Sequence, residues 1–240
     1  MKNVSRIGAL VARGAAILAM LAGGLGITAA EAAPIGVPAA TTGAGKTTLG
    51  GEVNILLDRD LTGGGLEAES SQVYAKGTIG VDDRLDLVFR LGFGDFSIDP
   101  GGFDTDIGPA FGAGMKVTWA NLPEANLKIG SVFQTLRIRA DETNLRSSWT
   151  EYDAALGVSM DMTASRDPKK RQTEFALVPY AGFAWSSVDT AAPLALATAE
   201  DDSFGLFLGF NAKAQSNFNF GVELRLVDQT ALSLGASMAF

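Results

Sequence analysis

A chain of 240 residues with a net charge of −8, no cysteine and no histidine excludes several classes of function. The acidic balance argues against nucleic-acid binding, because phosphates demand a basic surface. Without cysteine there are no disulfides and no thiolate chemistry. Without histidine, a nucleophile activated by a histidine base is impossible.

The first 32 residues have the parts of a secretory signal peptide. Positive charge comes from three residues, Lys2, Arg6 and Arg13. The apolar run Gly14–Ile27 follows, and it is shorter than the roughly 20 residues that a transmembrane helix needs. Ala30-Glu31-Ala32 is an A-x-A cleavage signal, so we expect a signal peptide over residues 1–32 and a mature chain beginning at Ala33, with Glu31 as the alternative start. Removing the segment shifts the net charge to about −10.

Residues 33–46 are rich in Ala, Pro, Gly and Thr, which predicts a flexible periplasmic lead-in. The run from Gly43 to Thr48 approaches the phosphate-loop motif G-x-x-x-x-G-K-[ST]. The first glycine of that motif would stand at Ala40, and the flanking strand and helix are missing. We interpret the run as a small-residue linker that enters the first strand.

From Thr47 onward, apolar residues alternate with polar or small ones in segments of about ten residues, which is typical of tilted membrane strands. Ten segments are predicted, near 49–57, 72–81, 85–94, 111–119, 127–136, 151–161, 175–185, 204–213, 220–226 and 232–240. In the fifth segment the alternation flips between Phe133 and Leu136. The flip indicates either a β-bulge or passage of the strand out of a membrane.

After residue 33 no run approaches 18 apolar residues, yet the whole chain is 47% hydrophobic and contains 29 glycines. Apart from helices, only a closed barrel spans a bilayer, because there each backbone group bonds to a neighbouring strand. We therefore predict an all-β fold, a transmembrane antiparallel up-and-down β-barrel over residues 47–240. Ten strands are expected, or eight if the outer hairpins are misassigned. Both termini would then lie in the periplasm, with short turns on that side and longer external loops near 58–70, 99–109, 140–148 and 189–203.

The two faces of the predicted strands differ in a way that favours a barrel over the alternative of a secreted soluble β-sandwich. Aromatic residues of the apolar face gather near both strand ends, as at two bilayer interfaces. They are Trp119, Phe175, Phe220 and Phe240 at the periplasmic end, and Phe93, Phe111, Trp185 and Phe204 at the external end, with Trp149 near the external rim. The other face carries seven acidic and six basic residues, which would pair across a narrow lumen. These are Glu52, Lys76, Asp86, Arg90, Lys116, Lys128, Glu151, Asp153, Asp161, Glu174, Lys213, Glu223 and Arg225.

The last predicted strand carries apolar residues at alternate positions, Leu232, Leu234, Ala236, Met238 and Phe240. This pattern resembles the assembly signal of bacterial outer-membrane proteins. Together with the signal peptide, it makes residues 47–240 resemble small outer-membrane barrels of the OmpA, OmpX and OmpW class, with no particular family indicated. The resemblance implies a place in the cell outer membrane, contact with its lipid and lipopolysaccharide, and recognition of Phe240 by the barrel assembly machinery.

The sequence predicts no enzyme and no catalytic, cofactor or metal site. The barrel hydrolases of this architecture use a histidine base, which this chain lacks. Glu151 and Asp153 share the inward face, but we expect them to pair with lumen lysines and arginines rather than to form a catalytic pair. Three acids, Asp99, Asp104 and Asp106, offer oxygen ligands for Ca²⁺ without the spacing of an EF-hand.

A barrel of eight to ten strands has an interior filled by side chains or wide enough for one small ligand. We therefore predict a structural or interaction protein with a largely plugged, salt-bridged lumen that leaves at most a narrow solute path. The alternative is a small-molecule or lipid-binding or transport barrel, porin-like in character, suggested by the inward Val178 and Phe207. A continuous apolar stripe in the lumen would favour binding, whereas ion pairs across the lumen would favour the plug.

Overall fold

The computed structural model describes residues 34–61, 65–99, 103–142, 145–163, 175–191, 200–214, 217–226 and 229–240. The predicted signal peptide, residues 1–32, lies outside these ranges. The long strands are β1 (Thr47–Leu61), β2 (Leu66–Gly80), β3 (Leu85–Asp99), β4 (Gly108–Leu122), β5 (Leu127–Glu142), β6 (Leu145–Met160), β7 (Phe175–Ala191), β8 (Glu200–Ala214), β9 (Phe218–Leu226) and β10 (Gln229–Ala239). Two-residue strands at Phe103–Asp104 and Met162–Thr163 and a 3-10 turn at Pro123–Ala125 complete the described elements.

The ten long strands form one closed antiparallel ring. Each pairs with its neighbour in sequence, and β1 also pairs with β10. Val53 of β1, for example, lies opposite Val73 of β2 on one side and Leu234 of β10 on the other. The predicted ten-strand up-and-down barrel is confirmed. The eight-strand count and the soluble β-sandwich are wrong, because a single sheet closes on itself.

The barrel has a turn end, where β1 begins and β10 finishes, and an opposite loop end. At the turn end the Phe240 amide donates to the Thr47 carbonyl, at 2.9 Å. The strands β1 to β8 are longer than predicted, with 15 to 17 residues each. The predicted external loops at 58–70 and 140–148 are therefore largely strand. Among the described residues, no helix is long and apolar enough to cross a bilayer.

The outward face of the barrel is apolar near the turn end and polar near the loop end, and the inward face changes in the opposite sense. Nearer the turn end, the outward side chains are apolar and exposed, as at Leu91 (70% exposed) and Phe183 (55%), and we call this surface the apolar belt. Beyond it lies the loop-end rim, whose outward residues are polar, including Asp58, Asp60, Glu67, Glu69, Asp95, Ser97, Asp99, Arg137, Arg139, Asp141 and Asp189. Inside the rim is the loop-end core, formed by Leu56, Leu61, Ala68, Tyr74, Phe96, Ile98, Ala110, Leu136, Ile138, Ala140, Trp149, Val188 and Ala231.

This exchange explains the flipped alternation in β5. Phe133 points outward and is exposed, whereas Leu136 and Ile138 point inward and are buried. The pairing of β5 with β6 continues without a shift from Leu127 to Glu142, so no bulge separates these residues in that ladder. The β-bulge interpretation is wrong. The strand stays regular, and the apolar residues move from its outward positions to its inward positions.

The aromatic residues occupy the outer surface near the ends of the belt, as predicted, with one exception. Trp119 and Phe240 are exposed toward the turn end, and Phe93 and Phe204 toward the rim. Trp149 does not face outward at the external rim. Its side chain is completely buried in the loop-end core, where its ring centre lies 5.8 Å from that of Phe96. The Phe175 side chain lies outside the described side chains.

A charge placed on the belt and one placed on the rim should have different effects. Leu208→Arg should lower the free energy of unfolding from lipid vesicles by about 2–4 kcal/mol, because Leu208 is exposed in the middle of the belt. The matched change Ser97→Arg, on the rim, should alter it by no more than about 0.5 kcal/mol. Equal effects of the two changes in a denaturant titration would show that hydrocarbon does not surround the belt.

Candidate functional site: the barrel lumen

Residues 34–42 lie inside the barrel, and we call them the lumen segment. Ile35 and Val37 are at most 1% exposed. They belong to a buried apolar cluster with Val132, Ala155, Val178, Tyr180, Ala184 and Phe207. The prediction of a flexible periplasmic lead-in is therefore wrong for this stretch, because its apolar side chains and its peptide groups both find partners on the barrel wall.

Two wall carboxylates accept hydrogen bonds from the backbone of the lumen segment. The amides of Ile35 and Gly36 donate to the two oxygens of Glu223, at 2.8 and 2.7 Å. Closer to the turn end, Thr41 and Thr42 donate to Oδ2 of Asp86, at 2.7 and 3.1 Å. Hydrogen bonds to a charged acceptor are stronger than neutral ones, so these carboxylates anchor the segment at both of its ends.

Two cations and one hydroxyl group of the barrel wall form hydrogen bonds with peptide groups of the lumen segment. Nη2 of Arg90 donates to the Pro34 carbonyl at 3.1 Å, and Nζ of Lys116 donates to the Val37 carbonyl at 3.0 Å. The Ala40 amide donates to Oγ1 of Thr118 at 2.9 Å. Extended peptide groups buried in a barrel must be satisfied by side chains, and here charged or hydroxyl groups do so.

Two glycines allow the segment and the wall to approach this closely. Gly36 has a φ of +68°, and a Cβ there would lie 2.8 Å from Nζ of Lys116. On β5, a Cβ at Gly130 would lie 2.5 Å from the Pro38 carbonyl oxygen and 2.8 Å from the Cα of Ala39. A side chain at Gly130 would push the segment away from the wall, and one at Gly36 would be strained by the positive φ and would displace the Lys116 ammonium group.

A chain of ion pairs and hydrogen bonds runs around the lumen above the segment. Glu52 on β1 accepts from Lys76 at 2.7 Å and also from Nε of Arg90. Arg90 then donates to Gln134 at 3.0 Å, and Gln134 donates to Asp153 at 2.8 Å. Five strands are thereby linked through their inward side chains alone.

Arg225 on β9 closes this network on the other side. Its Nη1 lies 3.3 Å from Oδ1 of Asp153 and 3.5 Å from Oε1 of Glu151, and its Nε lies 3.5 Å from Oε1 of Glu223. Arg225 therefore joins the ion pairs to the carboxylate that anchors the lumen segment. A charge removed from this network would strand its partners in a buried place.

Arg59 was missed by the sequence analysis, which placed it in an external loop. The register of β1 shifts between Leu56 and Asp58, and Arg59 is then completely buried. Its Nη1 donates to Oγ of Ser186 at 2.9 Å and lies 3.8 Å from Oε1 of Glu151. Because β1 and β6 stand on opposite sides of the ten-strand ring, this contact spans the lumen.

The structure places most of the predicted lumen charges inside the barrel. Glu52, Asp86, Arg90, Lys116, Glu151, Asp153, Glu223 and Arg225 are buried there, and Lys76, Lys128, Asp161 and Lys213 are half-buried. Lys76 and Arg90 both pair with Glu52, in agreement with the predicted pairing of the lumen charges. Lys116 differs, because it binds the lumen segment instead of a carboxylate. The Glu174 side chain lies outside the described side chains.

Other sequence motifs have a simple structural outcome. Glu151 and Asp153 share Arg225, so the predicted pairing of these carboxylates with a lumen cation is present. Thr47 and Thr48 begin β1, and no helix follows Gly43–Thr48, so this run is not a phosphate loop. Within the described ranges, no three histidine, cysteine or acidic side chains gather in a way that could hold a metal ion, Asp99, Asp104 and Asp106 included.

One cavity of about 410 Å³ lies in the turn-end half of the lumen, beside the lumen segment. Its lining is mixed, with apolar groups beside the charged and amide side chains of Lys46, Lys116, Lys213, Asn211, Asn219 and Glu223. Val178 and Phe207, which suggested a ligand, do not line it. They are covered by Ile35 and Val37 of the chain itself.

The fold can be compared with known proteins. No family model and no curated protein match the chain. Among solved structures, the β domain of the Bordetella autotransporter BrkA has 15% identity and a TM-score of 0.47, covering 81% of this chain and 98% of that one. The translocator domain of the autotransporter NalP from Neisseria meningitidis has 12% identity and a TM-score of 0.42, with coverages of 82% and 88%.

A third structure, the monoaromatic hydrocarbon channel CymD, has 9% identity and a TM-score of 0.29, again with coverages of 82% and 88%. These likenesses are too distant to assign a family or an activity. None of the three is named as a barrel of the OmpA, OmpX or OmpW class, so that narrower resemblance stays a prediction.

Loss of the Glu223 anchor should release the lumen segment. The chain has no cysteine, so Val37→Cys introduces a single thiol whose reaction with a maleimide reports exposure of the segment. In a Glu223→Ala background this thiol should react at least about tenfold faster, because two charge-assisted hydrogen bonds to the segment are lost. The control Asn219→Ala lines the same cavity and should leave the rate unchanged. A rate unaffected by Glu223→Ala would show that this carboxylate does not hold the segment.

Proposed function

We propose that the chain is an outer-membrane β-barrel with a closed lumen, and that it acts as a structural or interaction protein rather than as an open pore. The observation that carries this proposal is the filling of the lumen at successive levels. The lumen segment occupies the part near the turn end, the ion-pair network crosses the middle, and the loop-end core fills the rest.

The apolar belt supports the membrane position. A soluble protein rarely exposes a large continuous apolar surface, and here the belt surrounds strands whose inward residues are charged. Membrane barrels have this arrangement, with an apolar outer band and a polar interior. The predicted signal peptide supports export, and the turn end, where β1 begins and β10 finishes, would face the periplasm.

The loop-end core supports a sealed lumen most strongly. Its inward side chains include Trp149, Phe96 and Ile138, all at most 1% exposed. Ions cross a barrel through water, and close-packed apolar side chains leave no continuous water path. The cavity beside the lumen segment therefore ends inside the barrel instead of continuing to the loop end.

Phe240 belongs to the same proposal as a point of contact with the barrel assembly machinery. Its side chain is 70% exposed at the turn end. Its amide also helps to join β10 to β1, so this residue lies at the seam where the barrel closes.

Conductance in a planar lipid bilayer tests the closed lumen. The wild-type protein should give no channel steps, and deletion of residues 34–42 should also give none, because the loop-end core still seals the barrel. Truncating that core as well, with Phe96→Ala and Trp149→Ala, should produce small conductance steps. A large, stable, ion-selective conductance of the wild-type protein would overturn the proposal and make the protein a porin.

A second function is favoured by the cavity, whose lining includes several charged and amide side chains, namely a narrow solute path gated by the lumen segment. In this case withdrawal of the segment would join the cavity to a path through the barrel. The single deletion of residues 34–42 separates the two functions. Conductance steps from that deletion, with a silent wild-type protein, would support the gated path, whereas silence from both would support the structural role.

A further inference from the structure

Two arginines stand out on the otherwise acidic loop-end rim. Arg137 and Arg139 are two residues apart on β5, and both point outward. No other outward-facing side chain of the rim, among those that the structure describes, carries a positive charge. The outward carboxylates there are Asp58, Asp60, Glu67, Glu69, Asp95, Asp99, Asp104, Asp106, Asp141 and Asp189. The arginines thus form one basic site, which we call the arginine pair, in a negatively charged ring.

The arginine pair lies at the edge of the apolar belt. Arg137 is directly opposite Phe111 in the pairing of β4 with β5, and the guanidinium carbon of Arg139 lies 5.5 Å from the centre of the Phe111 ring. Arg139 therefore leans toward the belt instead of toward the loops. On the other side, Tyr152 of β6 is exposed and pairs with Thr135 of β5. Aromatic side chains at the limit of an apolar band mark the level of lipid headgroups.

Within the part of the chain that the structure describes, neither arginine forms an ion pair. Nε of Arg137 is shielded from solvent and has no hydrogen-bond partner. Asp141 follows Arg139 two positions further from the belt, so its position on β5 is on the loop side of the pair. Because no carboxylate of the described residues neutralises either guanidinium group, and because Arg139 is exposed and Arg137 half-buried on the outer surface, the pair can meet a ligand that approaches from the membrane side.

We propose that Arg137 and Arg139 bind the phosphate of a membrane-lipid headgroup in the leaflet nearest the loop end. Guanidinium groups present paired donors that match phosphate oxygens, and two of them about 7 Å apart along a strand can share one headgroup. The acidic rim repels anionic lipids elsewhere, so the arginine pair gives the barrel one preferred lipid position. This inference rests on the proposed membrane location.

Lipid binding can be measured by native mass spectrometry of the folded barrel in detergent micelles. Phosphatidylglycerol should bind the wild-type protein in preference to phosphatidylcholine. The double change Arg137→Gln and Arg139→Gln should weaken phosphatidylglycerol binding by at least about fivefold, because charge-assisted hydrogen bonds to the phosphate are lost. The control Arg84→Gln removes an exposed arginine at the turn end and should leave binding unchanged.

The outcomes separate the two proposals. Equal phosphatidylglycerol affinity of the wild-type and double-variant proteins would overturn the arginine-pair proposal while leaving the membrane barrel intact. Competition by inorganic phosphate at the same concentration as the lipid would identify a free-anion site and would also overturn it. A barrel that folds and stays soluble without detergent would contradict the membrane location itself. If the double variant fails to fold, the single variant Arg139→Gln provides the test. Its phosphatidylglycerol binding should be weaker than that of the wild-type protein, and unchanged binding would overturn the arginine-pair proposal.

Discussion

Closure of the ring between β1 and β10 is the constraint on which the rest of the structure depends. In a closed barrel the backbone hydrogen bonds are made between strands, so no edge is left to bond with solvent. The same backbone can therefore lie in lipid or in water. The polarity of the side chains differs according to what surrounds each part of the barrel. At the level of the belt, outward residues are apolar and inward residues are charged. Toward the loop end the pattern is reversed, with polar residues on the outward rim and apolar residues in the loop-end core.

Closure also makes the lumen narrow, and this narrowness decides how its charges are satisfied. Arg59 and Glu151 approach to 3.8 Å from opposite sides of the ring. Glu52 has two cationic partners, whereas Oδ2 of Asp86 accepts hydrogen bonds from two amides of the lumen segment. The segment therefore does more than fill space, because its amides bind Glu223 and Asp86 and its carbonyl groups accept from Arg90 and Lys116.

The sequence was sufficient to predict features that repeat along each strand. It did not predict features that depend on a single irregularity or on contacts between distant parts of the chain. Period-two alternation predicted ten strands and the inward position of Glu52, Arg90 and Arg225, since the parity of a regular strand fixes the face of each side chain. Arg59 was lost because the register shift after Leu56 breaks that parity. The lumen segment was missed because its nine residues are too few to show a clear period, and their position depends on distant carboxylates such as Glu223.

The central claim is that the exchange of polarity marks the membrane surface, and spin-label accessibility tests it most directly. Single nitroxides would be placed at Phe93 in the belt and at Ser97 on the rim, both outward-facing on β3, in protein reconstituted into phospholipid vesicles. The account predicts that molecular oxygen, which concentrates in hydrocarbon, relaxes the label at position 93 more than a water-soluble nickel chelate does. The order should reverse at position 97. Equal preference for the nickel chelate at both positions would contradict a membrane boundary between them.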